Sequence, residues 1–104
     1  MKRALVLLAL AACGPTVGDP CTTPADCLDQ ACFNGAAFPG GYCSTKTCTV
    51  GDDTSCPSGS VCVSNGPNAA CYRTCKTMND CRGNYVCESQ NGSSHPICIG
   101  PKGL

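Results

Sequence analysis

The chain has 104 residues, seven Lys or Arg against seven Asp or Glu, one His, no Trp and thirteen Cys. This charge balance has no basic excess, which argues against a nucleic-acid-binding surface. The hydrophobic fraction of 42% overstates the core, because thirteen of those residues are cysteines and ten lie in Met1–Ala12, leaving 21 elsewhere, six of them Ala. A chain this short with so few large apolar groups cannot offset its ordering entropy by burial alone.

The N-terminus comes first. Lys2 and Arg3 precede nine apolar residues, Ala4 to Ala12. As a helix that run rises only about 14 Å, against a hydrocarbon core of about 30 Å, so it reads as a secretory signal rather than a transmembrane span. Ala9-Leu10-Ala11 fits ordinary signal peptidase, with Ala12 left at the mature end. Leu10-Ala11-Ala12-Cys13 resembles the lipobox of bacterial lipoproteins. Parity separates the two. Ordinary cleavage leaves thirteen cysteines in an oxidising compartment and so one unpaired, whereas the lipobox turns Cys13 into a thioether and leaves twelve.

The resemblance implies a signal peptide over 1–12, diacylglycerol on the Cys13 thiol, cleavage by signal peptidase II and an acylated tether over 13–20. Gly14 stands where Asp would retain an inner-membrane lipoprotein, which implies the cell envelope with the outer membrane favoured. Without residues 1–12 the chain carries five basic and seven acidic groups. Eight steps separate Cys13 from Cys21, a reach under roughly 30 Å when extended. Pro15 and Pro20 favour extended backbone while Gly14 and Gly18 permit bends, so the tether is expected to be short without being rigid.

The remaining cysteines form three blocks: Cys21-Cys27-Cys32-Cys43, Cys48-Cys56-Cys62-Cys71 and Cys75-Cys81-Cys87-Cys98. Each block opens 27 residues after the last, with internal gaps of 5-4-10, 7-5-8 and 5-5-10 residues. CTTPADC in the first matches CKTMNDC in the third. This spacing predicts three tandem two-disulfide repeats at 21–47, 48–74 and 75–104, the last including the C-terminal tail. About 27 frameworks remain if bonds stay within blocks. First-to-third and second-to-fourth pairing is preferred, because crossed bonds staple a short hairpin to the loop before it.

Local signals are brief. Thr23-Pro24-Ala25-Asp26 and Thr77-Met78-Asn79-Asp80 read as capping boxes opening single helical turns, with Asp52 and Ser55 as the middle counterpart. β-like runs are expected at 41–50, 60–64, 85–89 and 96–100. Turn signals stand at Asn34-Gly35, Gly40-Gly41, Asn65-Gly66-Pro67 and Asn91-Gly92. All twelve Gly and eight Pro lie beyond residue 12, which disfavours long elements. The fold class expected is small and disulfide-rich: irregular, with short β-hairpins and single helical turns in three knots strung in a row, and little hydrophobic core.

These blocks are similar to the short cysteine-rich repeats of bacterial surface lipoproteins. The C-x4-D-C openings and Cys-Pro-x-Gly-x-x-Cys at Cys56–Cys62 also resemble the Dickkopf N-terminal cysteine-rich module. What this implies is a scaffold; no receptor-binding residue carries over.

Sharper chemistry finds little support in the residues. There is no C-x2-C pair for zinc or a thioredoxin-like site. Metallothionein-like clusters are denser and lack aromatics. Asp19, Asp26, Asp29, Asp52, Asp53 and Asp80 lack EF-hand spacing, and three are explained by capping. His95 sits in a polar turn, SSHPIC, without a Gly-x-Ser-x-Gly elbow. Asn91-Gly92-Ser93 reads as a turn rather than a glycosylation site. Tyr42, Tyr72 and Tyr85 are read as cover for the disulfides rather than as a sticky face.

No catalytic residue, metal site or cofactor is expected. The expectation is a non-catalytic lipoprotein held in the membrane through acylated Cys13. Its scaffold would bind an extracellular or periplasmic protein or glycan, or serve structurally in the envelope. The alternative is a diffusible effector of the toxin or protease-inhibitor kind. If the knots stack linearly, the third, with Tyr85 and the loop Glu88–Pro96, projects farthest and meets the partner.

Overall fold

The structure, a computed structural model, describes residues 16–28, 31–45, 47–65, 68–90, 93 and 95–101. The signal peptide read at 1–12 and the lipidation site Cys13 lie outside the described residues. Among the described residues six short strands pair as three antiparallel hairpins: β1 (Ala31–Phe33) with β2 (Tyr42–Ser44), β3 (Ser60–Asn65) with β4 (Asn68–Arg73), and β5 (Val86–Glu88) with β6 (Ile97–Ile99). A single 3-10 turn precedes each hairpin, at Pro24–Asp26, Asp53–Ser55 and Met78–Asp80. Among the described residues no helix is long and apolar enough to cross a membrane.

The disulfides follow from hairpin register. Cys32 stands opposite Cys43, Cys62 opposite Cys71, and Cys87 opposite Cys98. Directly paired residues project to the same face of a hairpin, so both sulfurs of each pair reach toward the segment crossing that face. The bonds are Cys21–Cys32 with Cys27–Cys43, Cys48–Cys62 with Cys56–Cys71, and Cys75–Cys87 with Cys81–Cys98. Each block therefore carries first-to-third and second-to-fourth bonds.

The turns owe their shape to one carboxylate each. Asp26 Oδ2 accepts from the N–H groups of Thr22 (2.9 Å) and Thr23 (3.0 Å). Asp80 Oδ2 does the same for Lys76 (2.7 Å) and Thr77 (3.1 Å). In the middle turn Asp52 Oδ1 accepts from the Thr54 N–H at 3.0 Å, and Ser55 Oγ donates to the Asp52 carbonyl at 2.6 Å. These bonds satisfy donors that a one-turn helix leaves open.

Two strands were not legible in the pattern, and one was overdrawn. β1 is only three residues, and β4 (NAACYR) begins on small and polar residues that carry no strand signal. The run at 41–50 is strand only over Tyr42–Ser44. Beyond it the chain must leave the first hairpin, because Cys48 is bonded to Cys62 of the second.

The picture of knots strung in a row is corrected. Tyr42, Tyr72 and Tyr85, one from each block, are all buried. The Tyr42 ring centroid lies 5.6 Å from Tyr72, 5.4 Å from Tyr85 and 5.6 Å from Phe38. Val17, Val61, Val63, Ile97 and Ile99 complete one shared cluster. The core is small, as expected, but its main cluster draws on all three blocks, while Cys21, Cys27 and Cys43 form a second one. The tyrosines pack on one another across blocks, which no local pattern could announce, and the amphipathic ring suits the role.

Polar bonds reinforce the joint. Tyr42 OH accepts from the Arg73 N–H at 2.9 Å and donates to the Cys98 carbonyl at 3.1 Å, touching all three blocks. Ser44 Oγ donates to the Cys71 carbonyl at 2.8 Å. Arg82 sends Nη2 to the carbonyls of Pro39 and Gly41, and its guanidinium lies 4.6 Å from the centroid of the Tyr85 ring. Gly41 (φ +82°) passes so close to Cys21 that an added Cβ would fall 1.8 Å from its carbonyl oxygen.

Two outcomes follow. Tyr42→Phe keeps the ring but leaves the Arg73 N–H and Cys98 carbonyl unpaired in a buried setting, so it should cost about 1–3 kcal/mol in urea unfolding with disulfides intact. Gly41→Ala meets both a backbone clash and a left-handed φ, and should sharply lower the yield of fully oxidised protein on refolding.

Candidate functional site

Cys13, the residue on which the functional reading turns, lies outside the described residues, which begin at Thr16. Thr16 N–H donates to Asp19 Oδ2 at 2.7 Å, and the Asp19 N–H to the Thr16 carbonyl at 3.0 Å. Gly18 N–H donates to the Cys43 carbonyl and Cys43 N–H to the Asp19 carbonyl, both at 2.9 Å. These bonds lay the segment along the free edge of β2 and place the Val17 side chain in the shared core. Gly18 (φ +94°) takes a conformation suited to glycine and passes against Arg73, whose Nη1 lies 3.6 Å from Asp19 Oδ1.

The tether is accordingly corrected. Residues 16–20 are fastened to the first hairpin rather than free to swing. From Cys13 to Thr16 only three steps remain, a reach of about 10 Å. Whatever Cys13 carries, the folded body sits beside it.

Two grooves meet at Thr16 and Val17. One, of about 210 Å³, is walled by Cys27, Leu28, Cys43, Ser44 and Pro57. Leu28 at its edge is 69% exposed, the most exposed large apolar residue described. The other, of about 460 Å³, is more polar, and its walls include Arg73, Thr74, Asn79 and Asp80. The sequence drew no attention to Leu28; only its position on the fold makes it conspicuous.

The twelve cysteines of the three blocks come together pairwise, and at each crossing three sulfurs lie within 4.8 Å: Cys21, Cys27 and Cys43; Cys48, Cys56 and Cys62; Cys75, Cys81 and Cys98. Such sulfur clusters would suit a soft metal as thiolates. Here the sulfurs are bonded to one another, and a disulfide sulfur is not the thiolate ligand.

The carboxylates singled out for calcium are dispersed. Asp26 and Asp80 serve separate turns, Asp52 serves the third, and Asp19 closes the Thr16 turn; Asp29 lies outside the described residues. His95 is exposed, and its N–H and carbonyl are both engaged by Ser93 Oγ. Tyr85, named for a partner-facing surface, instead donates to the Pro39 carbonyl at 3.0 Å and packs inward. The third block folds back on the first: Gly100 lies against Ala37, where an added Cβ would stand 2.3 Å from its carbonyl oxygen. The linear, outward-projecting third repeat is thus overturned. Comparison with protein families, curated proteins and solved structures finds no match to this chain.

Titration follows the turns. Backbone donors hold Asp26 below the ordinary carboxylate range, the Thr23 N–H foremost and then that of Thr22. Asp80 is held down likewise by Lys76 and then Thr77. Burial pushes the hydroxyls of Tyr42 and Tyr85 the other way. A carboxylate whose folded pKa is depressed stabilises the fold above its unfolded pKa and loses that contribution as pH falls through the folded value. Thermal stability should therefore decline on acidification below about pH 4. Asp26→Asn with Asp80→Asn should be less stable at neutral pH and show a flatter acid slope, as read by circular dichroism melts.

Proposed function

We propose that this chain is a membrane-anchored, non-catalytic envelope lipoprotein. Acylated Cys13 holds it, and three tandem copies of a two-disulfide unit form the scaffold it presents to a protein or glycan outside the membrane. The observation that carries the reading is a count. The twelve cysteines from Cys21 to Cys98 are all bonded to one another. Cys13 is the thirteenth, and it falls directly after Leu10-Ala11-Ala12 at the end of the apolar run. A lone thiol in an oxidising compartment is a liability, and thioether formation removes it.

Buried methylenes contribute about 0.8 kcal/mol each, so two or more acyl chains hold a protein stably where one holds it marginally. Signal cleavage over 1–12 and outer-membrane sorting through Gly14 complete the proposal. The tandem-unit reading rests on the shared order in each block: a capped 3-10 turn, a hairpin, and crossed bonds of the same connectivity.

Intact mass of the native protein, reduced and non-reduced, tests both parts together. The expected result is a diacylglycerol adduct on Cys13, an N-terminus at Cys13 and six disulfides. Cys13→Ser should release the protein from the membrane fraction or leave the precursor uncleaved. A mature, unacylated protein recovered from the medium would instead establish a diffusible effector. A cleaved Cys13→Ser variant that stays membrane-bound would overturn the anchor.

A further inference from the structure

The geometry points to the Leu28 groove as a surface that docks on the lipid leaflet itself, so that the module lies against the membrane rather than swinging above it. This deepens the anchored reading and rests on it. The first observation is reach. Thr16 lines the groove and stands three residues from Cys13, so the groove lies within about 10 Å of the Cys13 backbone and close to whatever acyl group its thiol carries. Leu28 and Pro57, both exposed, share this groove with the anchor-proximal segment.

The second observation is chemistry. The walls are Val17, Leu28, Pro57 and the disulfide-bonded Cys27 and Cys43, with Thr16 and Ser44 as the polar members. Leu28 is 69% exposed, against 54% for Met78 and 45% for Val50. A large aliphatic side chain in water at the rim of an apolar groove has a natural home at the boundary between headgroups and acyl chains. Interfacial burial of that face needs no basic patch: beyond residue 12 acidic groups outnumber basic ones. The occupant is therefore the acyl boundary of the leaflet that holds Cys13, recognised by its apolarity and not by headgroup charge.

The third observation is rigidity. Residues 16–19 make two bonds to Cys43 of β2 and two more within their own turn, and Cys27, immediately before Leu28, is bonded to Cys43 of the same strand. The anchor-proximal segment and the groove wall thus belong to one stapled body. Anchoring one presents the other in a restricted orientation, and the leaflet does not have to order a loose loop.

The chain contains no Trp, so one introduced Trp reports its surroundings alone. Leu28→Trp is compared with Ala36→Trp, an exposed position in the loop that joins β1 and β2, at the other end of β2 from Ser44. Each full-length, processed protein is reconstituted into phosphatidylcholine vesicles whose acyl chains carry bromine. Intact mass first records the acyl adduct and six disulfides in each preparation. The expected result is several-fold stronger bromine quenching at Leu28→Trp than at Ala36→Trp.

In the unsubstituted protein, the amide of Leu28 should exchange several-fold more slowly on vesicles than in the soluble Cys13→Ser form. That measurement stands even if a Trp variant fails to reach its six-disulfide mass. Acylated protein with equal quenching at the two positions and unchanged exchange overturns the docking and leaves the anchor intact. Protein without an acyl adduct overturns both. Shielding of Leu28→Trp from iodide without bromine quenching places a second copy, or the chain's own acyl group, over the groove and overturns leaflet docking.

Discussion

The hydroxyl of Tyr42 accepts a hydrogen bond from the N–H of Arg73 and donates one to the carbonyl of Cys98, and the three hairpins become one body through that ring. Tyr42 is 1% exposed. Its neighbours are Tyr72 from the second block and Tyr85 from the third. Each hairpin alone has a face of cystine and a few aliphatic groups, too little to exclude water. An isolated two-stranded hairpin is marginal at best. Sharing one aromatic cluster lets three such faces close on each other, and the hydroxyl supplies the partners that buried backbone groups need where the hairpins meet.

Disulfides make that economy workable. The bonds close loops spanning 11 to 17 residues in sequence, a size for which chain entropy alone gives roughly 3 kcal/mol each before strain and overlap. They act on the unfolded chain and so demand no additional apolar area. What they cannot do is orient one hairpin against the next, since each bond stays within its block. Orientation comes from Tyr42, from Ser44 on Cys71, and from Arg82 reaching the turn at Pro39–Gly41. Arg82 follows the second cysteine of its block, as Leu28 and Pro57 follow theirs. Arg82 knits the first and third blocks together, while Leu28 and Pro57 border the anchor-proximal groove.

The same closure bears on the functional proposal. A linear string would hold its last member far from any anchor, free to reach for partners. A body folded about one ring keeps every block close to the segment that follows Cys13, and Thr16–Pro20 is itself part of the structure. Any partner of an anchored form would then meet a small, stapled object near the lipid surface, presenting turns and loop tips and keeping the tyrosines inside.

Much was legible without coordinates. Cysteine order and hairpin spacing carried the small disulfide-rich class, and the pairing follows once opposed cysteines share a hairpin face. Thr-x-x-Asp announced two of the 3-10 turns because capping chemistry is local, and Asp52 with Ser55 the third. The lipobox reading of Cys13 is a proposal drawn from contiguous residues, and the fold contributes to it only the pairing of the other twelve cysteines. What only the tertiary structure decided is everything that depends on residues far apart in the chain: β4 raised from weak residues by its partner, Val17 drawn from the tether into the core, Leu28 left at the rim of a groove, and three tyrosines packed on one another across the blocks. Local rules act through backbone donors and acceptors a few residues apart. Where a side chain lies is settled by which distant surface closes over it, and a chain of 104 residues with 21 apolar groups outside its cysteines and Met1–Ala12 has few to commit, so each one's fate depends on all the others.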